Sequence, residues 1–243
     1  MAITSRDKLK KHFEKGSIPT EHDFEDLIDS MFHKQDDGLV SQDHGLSLSP
    51  KGSSSKLMTF FNNITDFKPT WNIEQYPKND PDFGLNITDK QGESKLFIQS
   101  NGCIGIGTTR PVERLTVEGN IGMHGRRGTY ASGEVPGDGN WHTITPALNA
   151  CHAFEVIAKV GKQGRGLYAM THAIAVSTFG RSSNKINQTK AYYGSFRNKI
   201  DLRWSGDTFN YVLQIRTQRD YGEESMIRYY VTNLWWEEPE EVA

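Results

Sequence analysis

The sequence predicts a mainly β protein: an N-terminal helical hairpin, a short glycine-rich β shaft and a C-terminal antiparallel β-sandwich of jelly-roll type. Three observations carry this. Apolar side chains recur at helical spacing only within the first 34 residues. Short β signals separated by turn residues follow to about residue 123. Longer strands with strict two-residue alternation fill the rest. The 243 residues are 35% apolar and 11% aromatic, with mean hydropathy −0.63. That aromatic content is too high for a disordered chain, and the low apolar share suits thin or elongated modules. The expected organisation is a helical segment at 1–38, a linker at 39–56, a shaft at 57–128, a head at 129–236 and an acidic tail at 237–243.

Residues 5–34 read as two helices. Thr4 with Asp7, and Thr20 with Asp23, have capping-box spacing, while Gly16 and Pro19 punctuate the turn between them. Phe24, Leu27, Ile28, Met31 and Phe32 form an apolar stripe too large for two short helices to bury alone. The stripe is expected to dock on another chain, with the chain's own C-terminal domain as the alternative.

Residues 35–56 are rich in Ser, Gly and charge, which reads as a linker. The shaft strands are expected at 57–61, 70–73, 83–87, 95–99, 104–107, 115–117 and 121–123, with turns at Asn79-Asp80-Pro81-Asp82 and Asn101-Gly102. Strands this short are expected to need neighbours from other copies rather than a single-chain core. In the head, Phe154/Val156/Ala158/Val160, Ile200/Leu202/Trp204, Tyr211/Leu213/Ile215 and Ile227/Tyr229/Val231 alternate, and Ser205-Gly206-Asp207 reads as a hairpin turn.

Within the shaft, Gly102, Ile104, Gly105, Ile106, Gly107, Pro111, Leu115 and Val117 form one pattern. The glycines remove side chains where backbones approach or turn, and the isoleucines make one face apolar. The stretch Asn101-Gly-Cys-Ile-Gly-Ile-Gly-Thr-Thr-Arg-Pro-Val-Glu-Arg-Leu-Thr-Val-Glu-Gly-Asn-Ile121 resembles the N-G-x-V/I-G-I-G-T-x-x-P-x-x-x-L-x-V-x-G-x-I repeat of phage tail fibres and related injection-system fibre adhesins. The resemblance covers about 20 residues. It implies a homotrimeric β shaft preceding a receptor-binding head. The head lacks a chaperone-like C-terminus, so autocleavage is not expected. The segment from Gly16 to Phe32 is similar, more loosely, to the particle-attaching start of such proteins. That implies a particle baseplate or neighbouring fibre protein as partner at this end.

Function classes narrow accordingly. A net charge of −2 gives no electrostatic case for nucleic acid or an anionic membrane, and no apolar run spans a bilayer. Gly105-Ile106-Gly107 completes no phosphate-loop pattern. Met1 to Lys15 lacks an apolar core, so the expectation is synthesis in the cytoplasm without a Sec signal and function on an extracellular particle. His142, His152, His172 and Cys151 have no metal-ligand spacing, and no nucleophile motif occurs, so no metal, cofactor or enzyme activity is expected. The adjacent pairs Tyr192-Tyr193, Tyr229-Tyr230 and Trp235-Trp236 place one ring on each strand face. Surplus aromatics and arginines nominate Trp141, Arg181, Tyr192, Tyr193, Arg203, Arg216, Arg219, Tyr221 and Tyr230 for binding a cell-surface receptor, glycan or protein, with a trimer interface as the alternative use of the rings. The loops 180–185 and 217–225 are further candidates. Two other functions stay open: a connector within a particle, and a stand-alone lectin-like or toxin-like secreted protein.

Overall fold

The computed structural model describes residues 4–31, 39–42, 45–50, 52–63, 65–76 and 83–235. The chain is mainly β and divides into two compact units, Met1–Gly122 and Met123–Ala243. Phe32, the 79–82 turn, Trp236 and the acidic tail lie outside the described residues.

Two short helices open the first unit, α1 (Arg6–His12) and α2 (Glu21–Asp29). The cap of α1 is Ser5, whose hydroxyl accepts from the Lys8 amide. Thr4 instead donates to Asp26 of α2 (3.1 Å), so it ties the two helices rather than capping the first. The second box forms as its spacing predicts, with the Thr20 amide donating to Asp23 (2.8 Å). That bond from the Thr20 backbone, aided by the Thr20 hydroxyl, holds the Asp23 carboxyl below its ordinary pKa. Phe13 meets Phe24 edge to face at 5.5 Å.

The expected linker contains structure. β1 (Leu39–Gln42) pairs antiparallel with β2 (Gly45–Leu48). Then β3 (Lys56–Phe60), β4 (Trp71–Tyr76), β5 (Gly84–Asp89), β6 (Ser94–Gln99), β7 (Ile104–Ile106) and β8 (Leu115–Val117) follow. The expected strand at 121–123 does not form, and Ile121 and Met123 are exposed. The six strands pair in sequence order within one chain, antiparallel except for the parallel β7–β8 pair. The pairing itself needs no second copy, so the neighbours expected for these strands can supply only cover for a face. A meander needs only local closure, which short turns supply cheaply.

The register divides the sheet into two unlike faces. One face buries Phe97, Asn72, Asn86 and Thr88. Some of its polar groups bond one another: Asn72 donates to Thr88 (3.2 Å), and Ser94 donates to Asn86 (2.6 Å), while Asn72 Oδ1 finds no described partner. The connection from β7 to β8 crosses this face. A Cβ on Gly105 would lie 2.2 Å from the Thr108 carbonyl oxygen, and Gly107 sits at φ +76°. The glycine spacing of the Ile-Gly-Ile-Gly-Thr motif thus lets the chain lie flat on its own strand.

The opposite face is apolar from edge to edge. Met58, Ile73, Ile87, Leu96, Ile106 and Val117 form one row across all six strands. Leu85, Ile98, Ile104 and Leu115 form a second, and Phe60 with Trp71 begin a third.

The second unit is built from β9 (Ala131–Pro136), β10 (His142–Thr143), β11 (Cys151–Lys162), β12 (Leu167–Thr178), β13 (Lys185–Tyr193), β14 (Ile200–Asp207), β15 (Asn210–Thr217) and β16 (Met226–Asn233). They form a five-stranded sheet, β13-β12-β11-β16-β9, and a three-stranded sheet, β10-β15-β14, with antiparallel pairing. Inward residues of both sheets share one core that includes Phe154, Val156, Ile200, Leu213, Ile215 and Ile227. The β14–β15 turn is Thr208-Phe209, directly after the Ser-Gly-Asp expected. Gly206 is instead an in-strand residue at φ +124°, where a Cβ would meet the Asn210 carbonyl at 2.4 Å.

Candidate functional site

Two surfaces qualify. The first is the apolar face of the six-stranded sheet. Met58, Phe60, Trp71, Leu85, Ile98, Ile106 and Leu115 on it are each 40–56% exposed. Six strands span ~24 Å, and three rows make a face ~15–20 Å deep. A contiguous apolar patch of that size marks an interaction surface. Of the predicted shaft residues, Ile104, Ile106, Leu115 and Val117 lie on it. Gly105 lies on the other face, while Gly102 (φ +87°) and Gly107 make turns. Phe24, Ile28 and Met31 are also exposed, at 50, 59 and 56%, and Leu27 is half-buried.

The second is the outside of the head, where the nominated residues divide among separate places. Trp141, Arg203 and Arg216 come together: the two guanidinium carbons lie 4.3 and 4.4 Å from the indole centroid. Arg203 donates to Gln214 (2.9 Å), and Arg216 lies 3.7 Å from Asp201, which also pairs with Lys190 (2.5 Å). Sequence reasoning missed Lys190 and Asp201 because their pairing joins β13 to β14. The Trp141 ring is engaged by cations, so it is not a bare platform for stacking.

Tyr192 and Tyr193 both lie exposed near the end of β13, beside a mainly apolar groove of about 270 Å³ lined also by Tyr168 and Met170. The register still gives one ring per face, with Tyr192 opposite buried Ala169 and Tyr193 opposite exposed Tyr168, yet neither ring is taken into the core. Tyr229 and Tyr230 divide: Tyr229 is buried, and Tyr230 packs under Arg127 at 4.8 Å. Arg219 is exposed in a loop. Tyr221 is not a surface residue at all, at 1% exposed. Burial raises its hydroxyl pKa, and no described group reaches Oη. Tyr221→Phe is therefore expected to leave the head's melting temperature unchanged or raise it, by up to ~1 kcal/mol of stability, because it removes an unpaired buried hydroxyl. Thermal denaturation of the two proteins checks this.

Arg181 stands at the open end of the sandwich, where its guanidinium pairs with Asp207. A cavity of about 440 Å³ opens there between the 179–184 loop and the end of β14.

The histidines make ordinary polar contacts. His152 Nε2 meets the Asn149 carbonyl (2.8 Å), His172 meets Glu155 (2.9 Å) and His142 meets Asp138 (2.8 Å). Among the described residues no group of three or more His, Cys, Asp or Glu side chains is placed to hold a metal ion. No described helix is long and apolar enough to cross a membrane. Partial burial pushes the Asp138 carboxyl up, but hydrogen bonds from His142 and Asn140 outweigh it and hold it at about 2. A carboxyl depressed on folding stabilises above its unfolded pKa, and that stability is lost as pH falls from about 4 towards 2. Asp138 is 38% exposed, so the effect is expected to stay under ~1 kcal/mol. Asp138→Asn should flatten the acid limb of a melting-temperature-against-pH curve in that window.

No family model matches the chain, and no curated protein matches it.

Proposed function

We propose that this chain is a homotrimeric fibre protein that attaches a particle, such as a phage tail or an injection system, to a cell surface through its C-terminal head. One observation carries the reading: the six-stranded sheet closes its polar face with its own chain and leaves its apolar face open. Two further copies of the same chain are the occupants. The face carries ten aliphatic and two aromatic side chains, with Gln75 and Asp89, which pairs with Lys95 (2.9 Å), at its margins, so its complement must be largely apolar. Three identical faces meeting around an axis satisfy that demand, and cyclic closure limits growth. Trimer number follows the resemblance of the Ile-Gly-Ile-Gly-Thr segment. The exposed stripe of α2 then serves attachment to the particle, and three heads on one axis give avidity to weak single sites.

Size-exclusion chromatography with light scattering tests the reading. A trimer at micromolar concentration supports it, and a stable monomer at the same concentration refutes it.

A further inference from the structure

We propose that the open end of the head sandwich, between the 179–184 loop and the Thr208-Phe209 turn, binds a neutral saccharide unit. The proposal rests on the receptor-binding reading of the head and names the ligand class and its seat.

The cavity holds about 440 Å³, within the range of small-ligand sites. Its inner wall is the half-buried Trp204 and Ile186, with Tyr211 buried behind them, and its rim is Arg181, Ser182 and Asn184. An aromatic and aliphatic wall opposite a polar rim matches a sugar ring, which has an apolar C–H face and an equatorial belt of hydroxyls. Arg181 and Asp207 form an ion pair beside the rim. Such a pair offers a donor and an acceptor side by side, so neighbouring hydroxyls are bound by accepting from the guanidinium and donating to the carboxylate. Its charges cancel, which favours a neutral ring over a sialic acid or a sulfated one.

The loop is built rigid at a conformational cost. Phe179 (φ 75°) and Arg181 (φ 59°) are non-glycine residues in the left-handed region. Side chains converge on the strained turn: Ser177, Ser182 and Asn184 all donate to the Phe179 carbonyl (3.0, 2.9 and 3.1 Å). The Phe179 amide donates to the Ala150 carbonyl, and the Gly180 amide to the Thr208 carbonyl. A Cβ on Gly180 would stand 2.0 Å from the Asp207 carbonyl oxygen, so the loop is pressed against the β14–β15 hairpin. Backbone strain held in place by this many bonds is a signature of a pre-organised site. A rigid rim also lowers the ordering cost of binding a small, weakly held ligand.

The test uses the full chain and the methyl glycosides of glucose, galactose, mannose and N-acetylglucosamine, followed by saturation-transfer NMR and tryptophan fluorescence. At least one glycoside is expected to bind saturably in the millimolar range. Arg181→Gly should weaken it about tenfold or more, through loss of a charged hydrogen bond. That variant is expected to melt no lower than wild type, because glycine relieves the left-handed backbone, so lost binding cannot be blamed on misfolding. Asp207→Asn should weaken binding likewise. The proposal is overturned if no neutral glycoside saturates, if only a methyl sialoside binds, or if affinity survives both Arg181→Gly and Asp207→Asn. Co-sedimentation with intact cells separates this from the attachment reading. Cell binding that persists in Arg181→Gly overturns the cavity and keeps attachment, whereas a wild-type chain that sediments with no cell type overturns attachment itself.

Discussion

On the proposed assembly, a chain carrying Leu85→Asp is expected to elute as a monomer at concentrations where the wild type is expected to elute as a trimer. Leu85 lies in the second apolar row, beside Ile98, and keeps 42% of its surface exposed in the single chain. Burying a whole leucine is worth ~1.5–3 kcal/mol, so the exposed fraction contributes about 1 kcal/mol per copy and ~3 kcal/mol per trimer. The new carboxylate weighs more. Taking it out of water costs several kcal/mol per ion, and the cation at the margin, Lys95, is already paired with Asp89 and Glu93. Three copies bring the total to at least ~10 kcal/mol, or about seven decades in the assembly constant. Leu85→Met, similar in volume and apolar, should keep the trimer. The measurement is light scattering across a dilution series. A Leu85→Asp protein that stays trimeric would place the interface elsewhere.

That prediction depends on a feature the sequence showed only in part. The alternation of Ile104, Ile106, Leu115 and Val117 was legible, because period-two patterning marks one face of a strand. The joining of those residues to Met58, Ile73 and Ile87 was not, because register across six strands is a tertiary fact. The glycines were legible as close-approach positions, but the approaching group, the Thr108 carbonyl over Gly105, is within the chain and not from a neighbour. In the head, long alternating strands announced themselves. The β14–β15 turn was misplaced because Gly206 mimics a turn residue while sitting inside a strand. Tyr221 follows no periodic segment, so nothing in its neighbours signals that it is buried. Arg181 was nominated for its charge and loop. The strain that gives the loop its shape was invisible, since no glycine marks the left-handed positions at Phe179 and Arg181.

The head's stability is expected to rest most heavily on Phe154, and Phe154→Ala should lower its melting temperature by ~10–20 °C. The ring is fully buried in the first third of β11 and stacks on Tyr130 at 4.8 Å, with His152 at 5.5 Å and Trp204 at 6.2 Å. Truncating a buried phenylalanine costs ~3–5 kcal/mol, because the cavity cannot collapse between two sheets pinned by their own ladders. Against a typical total of ~5–15 kcal/mol, that is a large share. Phe154→Leu retains most of the volume and should cost less than half as much. Melting followed over a range of protein concentrations separates the two units. The head transition should move with Phe154→Ala and be indifferent to dilution, because its core is completed within one chain. A shaft whose apolar face is filled by other copies should melt at a temperature that rises with concentration, and Phe154→Ala should leave that transition in place. Loss of the trimer in Phe154→Ala would mean that the head holds the copies together, and the open sheet face would then need a different occupant.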